Sequence, residues 1–203
     1  MAEGNFTRME MMPEGLQALI RRAGPTGRGA APVELWEPEF CGDLDMEIKA
    51  DGTWFYMGTP IGREALVRLF STVLRRDADG KFYLVTPVEK VGIRVEDAPF
   101  AGVELFTEGS GRARRLTVRT NVGDVVIAGR DHPLRFANDS ANGGLKPYIL
   151  VRGRLEARLA RSLLYELAEL GEVADVDDIQ QFGVWSDGCF FPIMPADAIA
   201  EAL

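Results

Sequence analysis

Cysteine and histidine are scarce in this chain, and their scarcity excludes several kinds of site. Among 203 residues there are two cysteines, Cys41 and Cys189, and one histidine, His132. Two cysteines so far apart in sequence cannot form a disulfide framework or a cysteine-rich zinc site, so we interpret both as reduced thiols. A single histidine excludes a histidine-rich metal site, and its place before Pro133 is typical of a turn. We therefore predict no metal site and no cofactor.

Long apolar runs and excess positive charge are also lacking. No stretch approaches the roughly 20 apolar residues that a membrane span needs. Glu3, Glu10 and Glu14 interrupt the region where a signal peptide would lie. The net charge of −8 argues against a binder of nucleic-acid polymers and against a polybasic membrane contact. We expect a cytoplasmic protein, and a few arginines can still form a local pocket for a small anion.

Residues 1–31 predict one helix and a linker. Apolar residues recur at helical spacing between Pro13 and Ala23. The following segment PTGRGAAP, residues 25–32, is rich in glycine and proline and is typical of a linker. Residues 1–12 are interpreted as a loose leader. The helix either packs on the body or serves as an adaptor for a protein partner, and both alternatives stay open.

Residues 32–97 predict an N-terminal α+β domain. From Asp43 to Ala50 apolar and polar residues alternate, which indicates a half-buried strand. Asp51-Gly52 then favours a tight hairpin turn into a return strand. An amphipathic helix is predicted from Arg63 to Arg76, and two strands are predicted after it.

Residues 98–203 predict a C-terminal, β-rich domain with one helix. Short strands separated by glycine-bearing turns are typical of a meander. The helix is predicted from about Leu155 to Leu170, and strands are predicted at Val184–Trp185 and Phe190–Ile193. The acidic segment 172–178 lacks the glycine and the terminal glutamate of a calcium loop, so we interpret it as a solvated connector.

The two halves share an order of elements. In each, a strand leads through an arginine-bearing turn into an amphipathic helix and two strands. An Asp-Gly-x-aromatic hairpin also occurs twice, at Asp51–Trp54 and Asp187–Phe190. This predicts an α+β fold of two domains with a repeated strand–helix–strand motif, the C-terminal domain being a mostly antiparallel meander plus a helix. Convergence on a common motif is the alternative to duplication.

No complete catalytic set is evident. The chain has neither a Walker loop nor a Gly-x-Gly-x-x-Gly fingerprint. Asp43, Asp45 and Glu47 share one strand face at intervals of about 7 Å. Such carboxylates can serve a hydrolase or hold a cation, but they are more often a solvated face. We predict no catalytic residue and lean towards a protein that is not an enzyme.

Polar and aromatic residues at turns form a candidate binding site instead. An arginine at a helix start adds to backbone N–H groups that favour an anion, and the TPVEK turn places a hydroxyl beside two opposite charges. Each residue alone is more often structural, Trp54 as core for example. Together they predict an anion site between the two halves, and the candidate ligand-binding residues are Trp54, Arg63, Thr86, Glu89, Lys90, Arg94, Asn121, Arg135 and Arg152.

Six segments carry a resemblance to a known family. GDLDMEIKADGTWFYMGTPIGREALVRLFS, LVTPVEKVGIRVEDAPF, TNVGDVV, DHPLRF, PYILVRGRLEA and GVWSDGCFFP resemble the bacterial family called domain of unknown function 1285. The resemblance implies a two-domain α+β fold with repeated motifs, whose second domain is loosely similar to a pleckstrin-homology barrel. It also implies binding of a nucleotide-like ligand at the domain interface in signal transduction. The family-like polar positions are Arg63, Thr86, Glu89, Lys90, Asp97, Asn121, His132, Arg135 and Arg152.

Three functions remain open. The leading hypothesis is a non-catalytic protein that binds a small anionic or nucleotide-like ligand. The second is a phosphoester-type hydrolase that uses Glu89 or Asp97 as base, with Arg63 or Lys90 to hold charge. The third is a protein-interaction adaptor.

Overall fold

The computed structural model describes residues 12–22, 29–139 and 143–198. The chain divides into two compact units, Met1–Glu96 and Asp97–Leu203, called unit 1 and unit 2 here. The predicted leader, apart from Met12, and residues 25–28 of the predicted linker lie outside the described residues. None of the helices in the described ranges is long and apolar enough to cross a membrane.

Unit 1 is one six-stranded sheet with two helices. Its strands run in the order β3-β2-β1-β6-β5-β4, with β1 and β6 parallel and the other neighbours antiparallel. The elements of unit 1 are α1 (Glu14–Arg22), β1 (Phe40–Ile48), β2 (Trp54–Tyr56), β3 (Thr59–Pro60), α2 (Glu64–Thr72), β4 (Leu74–Arg76), β5 (Phe82–Val85) and β6 (Lys90–Val95).

The alternation predicted for β1 and β2 builds the core of unit 1. Met46 and Ile48 on β1 point inward and pair with Tyr56 and Trp54 on β2. All four side chains are buried, as expected for alternate residues of a strand that covers a core. Phe70 of α2 is also buried, and its ring stacks on that of Trp54 with centroids 6.3 Å apart.

Unit 2 contains a second six-stranded sheet, one helix and a three-stranded sheet. The large sheet runs β10-β11-β12-β7-β8-β9, and the small one runs β13-β14-β15. The elements of unit 2 are β7 (Phe100–Glu108), β8 (Arg115–Thr120), β9 (Val125–Ile127), β10 (Leu134–Asn138), β11 (Leu145–Arg152), β12 (Leu155–Leu159), α3 (Arg161–Glu169), β13 (Glu172–Val176), β14 (Ile179–Ser186) and β15 (Cys189–Pro195).

The two large sheets have the same topology. In each, the first and last strands of the six lie side by side in the centre and are parallel, as β1 with β6 and β7 with β12. In addition, α2 and α3 each follow a strand and lead into an antiparallel meander of three strands. These observations confirm the predicted α+β fold of two domains with a repeated strand–helix–strand motif.

Two predicted helices are too long. The helix predicted over Arg63–Arg76 ends at Thr72, and the next residues form β4. The helix predicted from about Leu155 begins at Arg161, because residues 155–159 form β12. In β12 alternate residues are buried, a period of two that the leucine spacing of four also fits.

The acidic segment is a hairpin rather than an irregular connector. Its first five residues form β13, whose valines favour a strand. Asp177 and Asp178 both have positive φ, 52° and 64°, as a two-residue type I′ turn requires. Aspartate tolerates this conformation better than most residues, so the turn forms without glycine.

Candidate functional site

In unit 1, the predicted TPVEK turn holds the N-terminal helix. Thr86 and Glu89 are both buried, Glu89 with 7% of its surface exposed. The hydroxyl of Thr86 accepts the backbone N–H groups of Val88, at 3.4 Å, and of Glu89, at 3.2 Å. Oε1 of Glu89 accepts the backbone N–H of Leu16 at 2.8 Å. Both predicted ligand residues therefore have structural partners inside unit 1.

The two predicted basic residues of β6 are paired with carboxylates. Nζ of Lys90 lies 3.2 Å from Oδ2 of Asp77 and 4.7 Å from the centroid of the Tyr83 ring. Arg94 is exposed, and its Nη2 lies 3.1 Å from Oδ1 of Asp45. The two cations thus lie in separate ion pairs, one half-buried and one exposed.

Arg63 and Trp54 differ in their access to solvent. Arg63 is exposed at the N-cap of α2, and it makes no side-chain hydrogen bond to that helix. Trp54 is 1% exposed and belongs to the core of unit 1. Its burial corrects the expectation that its ring stacks on a ligand, because an inward position on β2 leaves no ring face at the surface.

In unit 2, two predicted residues support the chain locally. Oδ1 of Asn121 accepts the backbone N–H of Ala101 at 3.0 Å. Nη1 of Arg152 donates to Oδ2 of Asp124 at 2.5 Å, and its guanidinium lies 4.8 Å from the Phe100 ring centroid. These contacts link the turn after β8 and the end of β11 to the start of β7.

A row of three side chains crosses β10, β11 and β12. Arg135 is directly opposite Tyr148, and Tyr148 is directly opposite Arg158. Directly opposed residues lie on one face of a sheet, so the three are neighbours. The guanidinium of Arg135 lies 4.0 Å from the centroid of the Tyr148 ring. We call Arg135, Tyr148 and Arg158 the arginine row.

Two carboxylates hold the arginine row. Arg135 donates to both oxygens of Glu156, from Nε at 2.5 Å and from Nη2 at 2.6 Å. The hydroxyl of Tyr148 donates to Oδ1 of Asp97 at 2.7 Å, and Nη1 of Arg158 donates to Oδ2 at 3.0 Å.

The electrostatics of the row keep its phenol neutral. Burial, and secondly the hydrogen bond to Asp97, raise the pKa of Tyr148 to about 12. The hydrogen bond from Arg135 to Glu156 raises the pKa of that guanidinium above its usual value. At neutral pH the row therefore offers two cations and a neutral O–H donor, a set that suits an anion.

Sequence reasoning found Arg135 and Asp97 but missed Tyr148, Glu156 and Arg158. The missing signal is the period of two in residues 155–159, which places Glu156 and Arg158 on the same face of a strand. Because these residues were predicted to be helical, their neighbourhood with Arg135 could not be inferred.

The described residues offer little for metal or acid–base chemistry. Within them, no group of three or more His, Cys, Asp or Glu side chains is placed to hold a metal ion. Nδ1 of His132 lies 3.0 Å from the backbone oxygen of Leu150, a local contact between a turn and β11.

Comparisons with known proteins identify the family. Residues 31–98 match the family described as domain of unknown function (DUF1285), N-terminal domain, and residues 99–193 match the DUF1285 C-terminal domain. The chain belongs to the DUF1285 family. This confirms the resemblance, and the matched regions meet close to the division between units 1 and 2.

Two solved structures of this family are similar to the chain. A DUF1285 family protein from Silicibacter pomeroyi DSS-3 is 50% identical, with a TM-score of 0.84 over 93% of this chain and 100% of that one. A DUF1285 family protein from Shewanella baltica OS155 is 27% identical, with a TM-score of 0.47 over 61% of this chain and 89% of that one. No curated protein matches the chain.

Proposed function

We propose that this DUF1285 protein is a non-catalytic binding protein for a small anionic, nucleotide-like ligand, and that its arginine row makes the anion contact. A cytoplasmic role in signal transduction, and a pleckstrin-homology-like second domain, belong to the same proposal. The observation that supports it is the placement of Arg135 and Arg158 on either side of the neutral phenol of Tyr148.

The carboxylate partners of the row are exchangeable. The Arg135 side chain is 49% exposed, and that of Arg158 is 32% exposed. Ion pairs with this much solvent access contribute about 0–1 kcal/mol, so a phosphate can replace a carboxylate at small cost. A guanidinium fork also matches two phosphate oxygens as well as it matches Glu156.

A thermal-shift screen with inorganic phosphate, mononucleotides and dinucleotides tests the proposal. We expect at least one of these compounds to raise the melting temperature of the wild-type chain. The shift should be lost in Arg135→Ala and in Arg158→Ala, because each substitution removes one guanidinium.

Arg119→Ala is the matched control. Arg119 pairs with Glu104, its direct cross-strand neighbour in the same sheet, and its side chain is 42% exposed. It lies outside the arginine row, so this variant should keep the shift. The proposal fails if no phosphate compound stabilises the wild type, or if Arg119→Ala weakens binding as much as the row variants do.

No observation favours the hydrolase alternative. Oε1 of Glu89 accepts a hydrogen bond from the backbone of Leu16, and both oxygens of Asp97 accept hydrogen bonds from the arginine row. A general base needs a free oxygen within reach of the proton that it removes. Retention of phosphate binding in Glu89→Gln would further separate this residue from the proposed site.

A further inference from the structure

The Thr86–Glu89 turn of unit 1 receives the first turn of α1, and we call this turn the helix seat. Glu89 is buried there with one carboxylate oxygen on the N–H of Leu16. The first N–H groups of a helix have no partners within the helix, and that end carries partial positive charge. The helix seat therefore supplies both a hydrogen-bond acceptor and a complementary charge to α1.

The approach of α1 to the helix seat depends on glycine. A Cβ atom on Gly15 would lie 2.6 Å from Oγ1 of Thr86 and 2.7 Å from Oε1 of Glu89. No side chain fits at such distances without displacing the seat. Glycine inside a helix destabilises it by about 1 kcal/mol relative to alanine. The close approach of backbone to turn is the feature that requires glycine here.

Two apolar residues complete the recognition of α1. Met12 and Leu16 are one helical turn apart, and both are buried. The helix seat thus selects a helix start with glycine at one position, leucine at the next and an apolar residue three positions before the glycine. This pattern is specific enough to distinguish α1 from an arbitrary amphipathic helix.

The docked helix is short, and its connection to the body is rich in glycine. An isolated helix of nine residues is marginal in water, so α1 gains its stability from docking. The sequence between Arg22 and Ala30 is AGPTGRG, which contains three glycines. Exchange of an identical element between two copies replaces every contact with the same contact, so it requires little free energy.

We propose that the helix seat is an exchangeable helix-binding site, and that its partner is α1 of a second copy of this chain. The seat's recognition features are the ones that α1 carries, so a second copy presents the matching ligand. Within one chain, a short connection gives α1 an effective concentration on the order of mM, so exchange increases with protein concentration.

Two full-length variants with complementary damage test this proposal. Gly15→Leu damages α1 and leaves the helix seat intact, whereas Glu89→Ala damages the seat and leaves α1 intact. The first variant carries a donor fluorophore and the second an acceptor. We expect energy transfer in their mixture, because the intact helix of one copy occupies the intact seat of the other.

Controls and failures are defined in the same experiment. Transfer should be lost when the Gly15→Leu chain is mixed with a chain that carries both substitutions. No transfer between two variants that keep wild-type circular dichroism overturns the proposal. Equal transfer in all mixtures also overturns it, because association would then not depend on the helix seat.

A second measurement applies if either variant fails to fold. A protease site inserted between Thr26 and Gly27 of the wild-type chain is cut after folding, and a labelled peptide of residues 12–22 is added. Exchange of this peptide for the cut helix, and no exchange by the same peptide with Gly15→Leu, supports the proposal. A wild-type peptide that does not exchange, or one that exchanges no better than its variant, overturns it.

Discussion

The hydroxyl of Tyr148 donates a 2.7 Å hydrogen bond to Oδ1 of Asp97, and the phenol is buried where it does so. Asp97 precedes β7 in sequence, whereas Tyr148 lies on β11, two strands away in the sheet. The bond therefore ties the start of unit 2 to its central strands, and it is available only while the phenol is protonated.

Alkaline titration should weaken this bond. The pKa of Tyr148 is raised to about 12 from 10.0, so the folded state favours the protonated phenol. This contribution is complete below pH 10 and is lost as the pH rises through 12. We expect the free energy of unfolding to fall across this range, and to fall less in Tyr148→Phe. Urea unfolding at several pH values measures both curves.

Tyr165→Phe is the control for that titration. Tyr165 is 56% exposed on α3, so its replacement should leave the alkaline fall in stability as it is in the wild type. Tyr83, whose pKa is also raised to about 12 by its hydrogen bond to Asp79, is retained in both variants. If Tyr148→Phe and Tyr165→Phe follow the same curve, Tyr148 has no special part in alkaline stability.

Ser186→Ala should destabilise unit 2. The buried hydroxyl of Ser186 accepts the backbone N–H of Leu116 at 2.9 Å and donates to the backbone oxygen of Ala128 at 2.6 Å. Removing it leaves two buried backbone groups without this partner, and we expect a loss of about 1–3 kcal/mol. Urea unfolding measures the loss. Ser162→Ala, on the exposed face of α3, should change stability by less than about 0.5 kcal/mol.

Gly15→Ala should release α1 even though alanine favours helices. The gain of about 1 kcal/mol in helix propensity is outweighed because the new Cβ meets Thr86 and Glu89 at under 3 Å. Hydrogen exchange of the Leu16 amide, compared with that of the wild type, reports the release. Gly62→Ala introduces a Cβ with no atom within 4 Å and should leave this exchange unchanged. Equal protection in Gly15→Ala and the wild type would contradict the tight approach.

Arg75→Met should destabilise unit 1 strongly. The guanidinium of Arg75 is buried, and it donates to the backbone oxygens of Val33 and Trp36 and to the carboxylate of Asp77. Its removal leaves these acceptors short of a donor, and breaking a buried ion pair costs about 3–5 kcal/mol. Denaturant unfolding measures the difference.

The control for Arg75→Met is a second arginine–carboxylate pair. Arg68→Met removes an exposed pair with Glu64 on α2, which contributes about 0.3–0.5 kcal/mol. A similar loss in both variants would show that burial of Arg75 does not decide its contribution.

Local patterns predicted much of the fold. Alternation between Asp43 and Ala50 indicated β1, and the Asp187-Gly188 pair indicated the hairpin between β14 and β15, where both residues have positive φ. The boundaries that failed are those where two periods fit the same residues. Leucines at 155 and 159 match a helix and a strand equally, and only pairing with β7 and β11 decides for β12.

The candidate site was less predictable because it depends on register. Arg135 was found from its position after a turn, but its neighbours Tyr148 and Arg158 follow from the pairing of three strands. The buried place of Glu89 beneath α1 could not be read from its sequence neighbours Thr86 and Lys90. A ligand between the two domains stays a prediction.

The central parallel pair of each large sheet has a consequence for the order of folding. Phe40 pairs with Lys90, so the ladder between β1 and β6 joins residues that are far apart in sequence. Contacts of such long range form slowly, because a long loop must close before they are made. During synthesis, the first three strands of unit 1 must wait for β6 to leave the ribosome. Until then an open sheet edge at β1 is a target for misassembly with other chains.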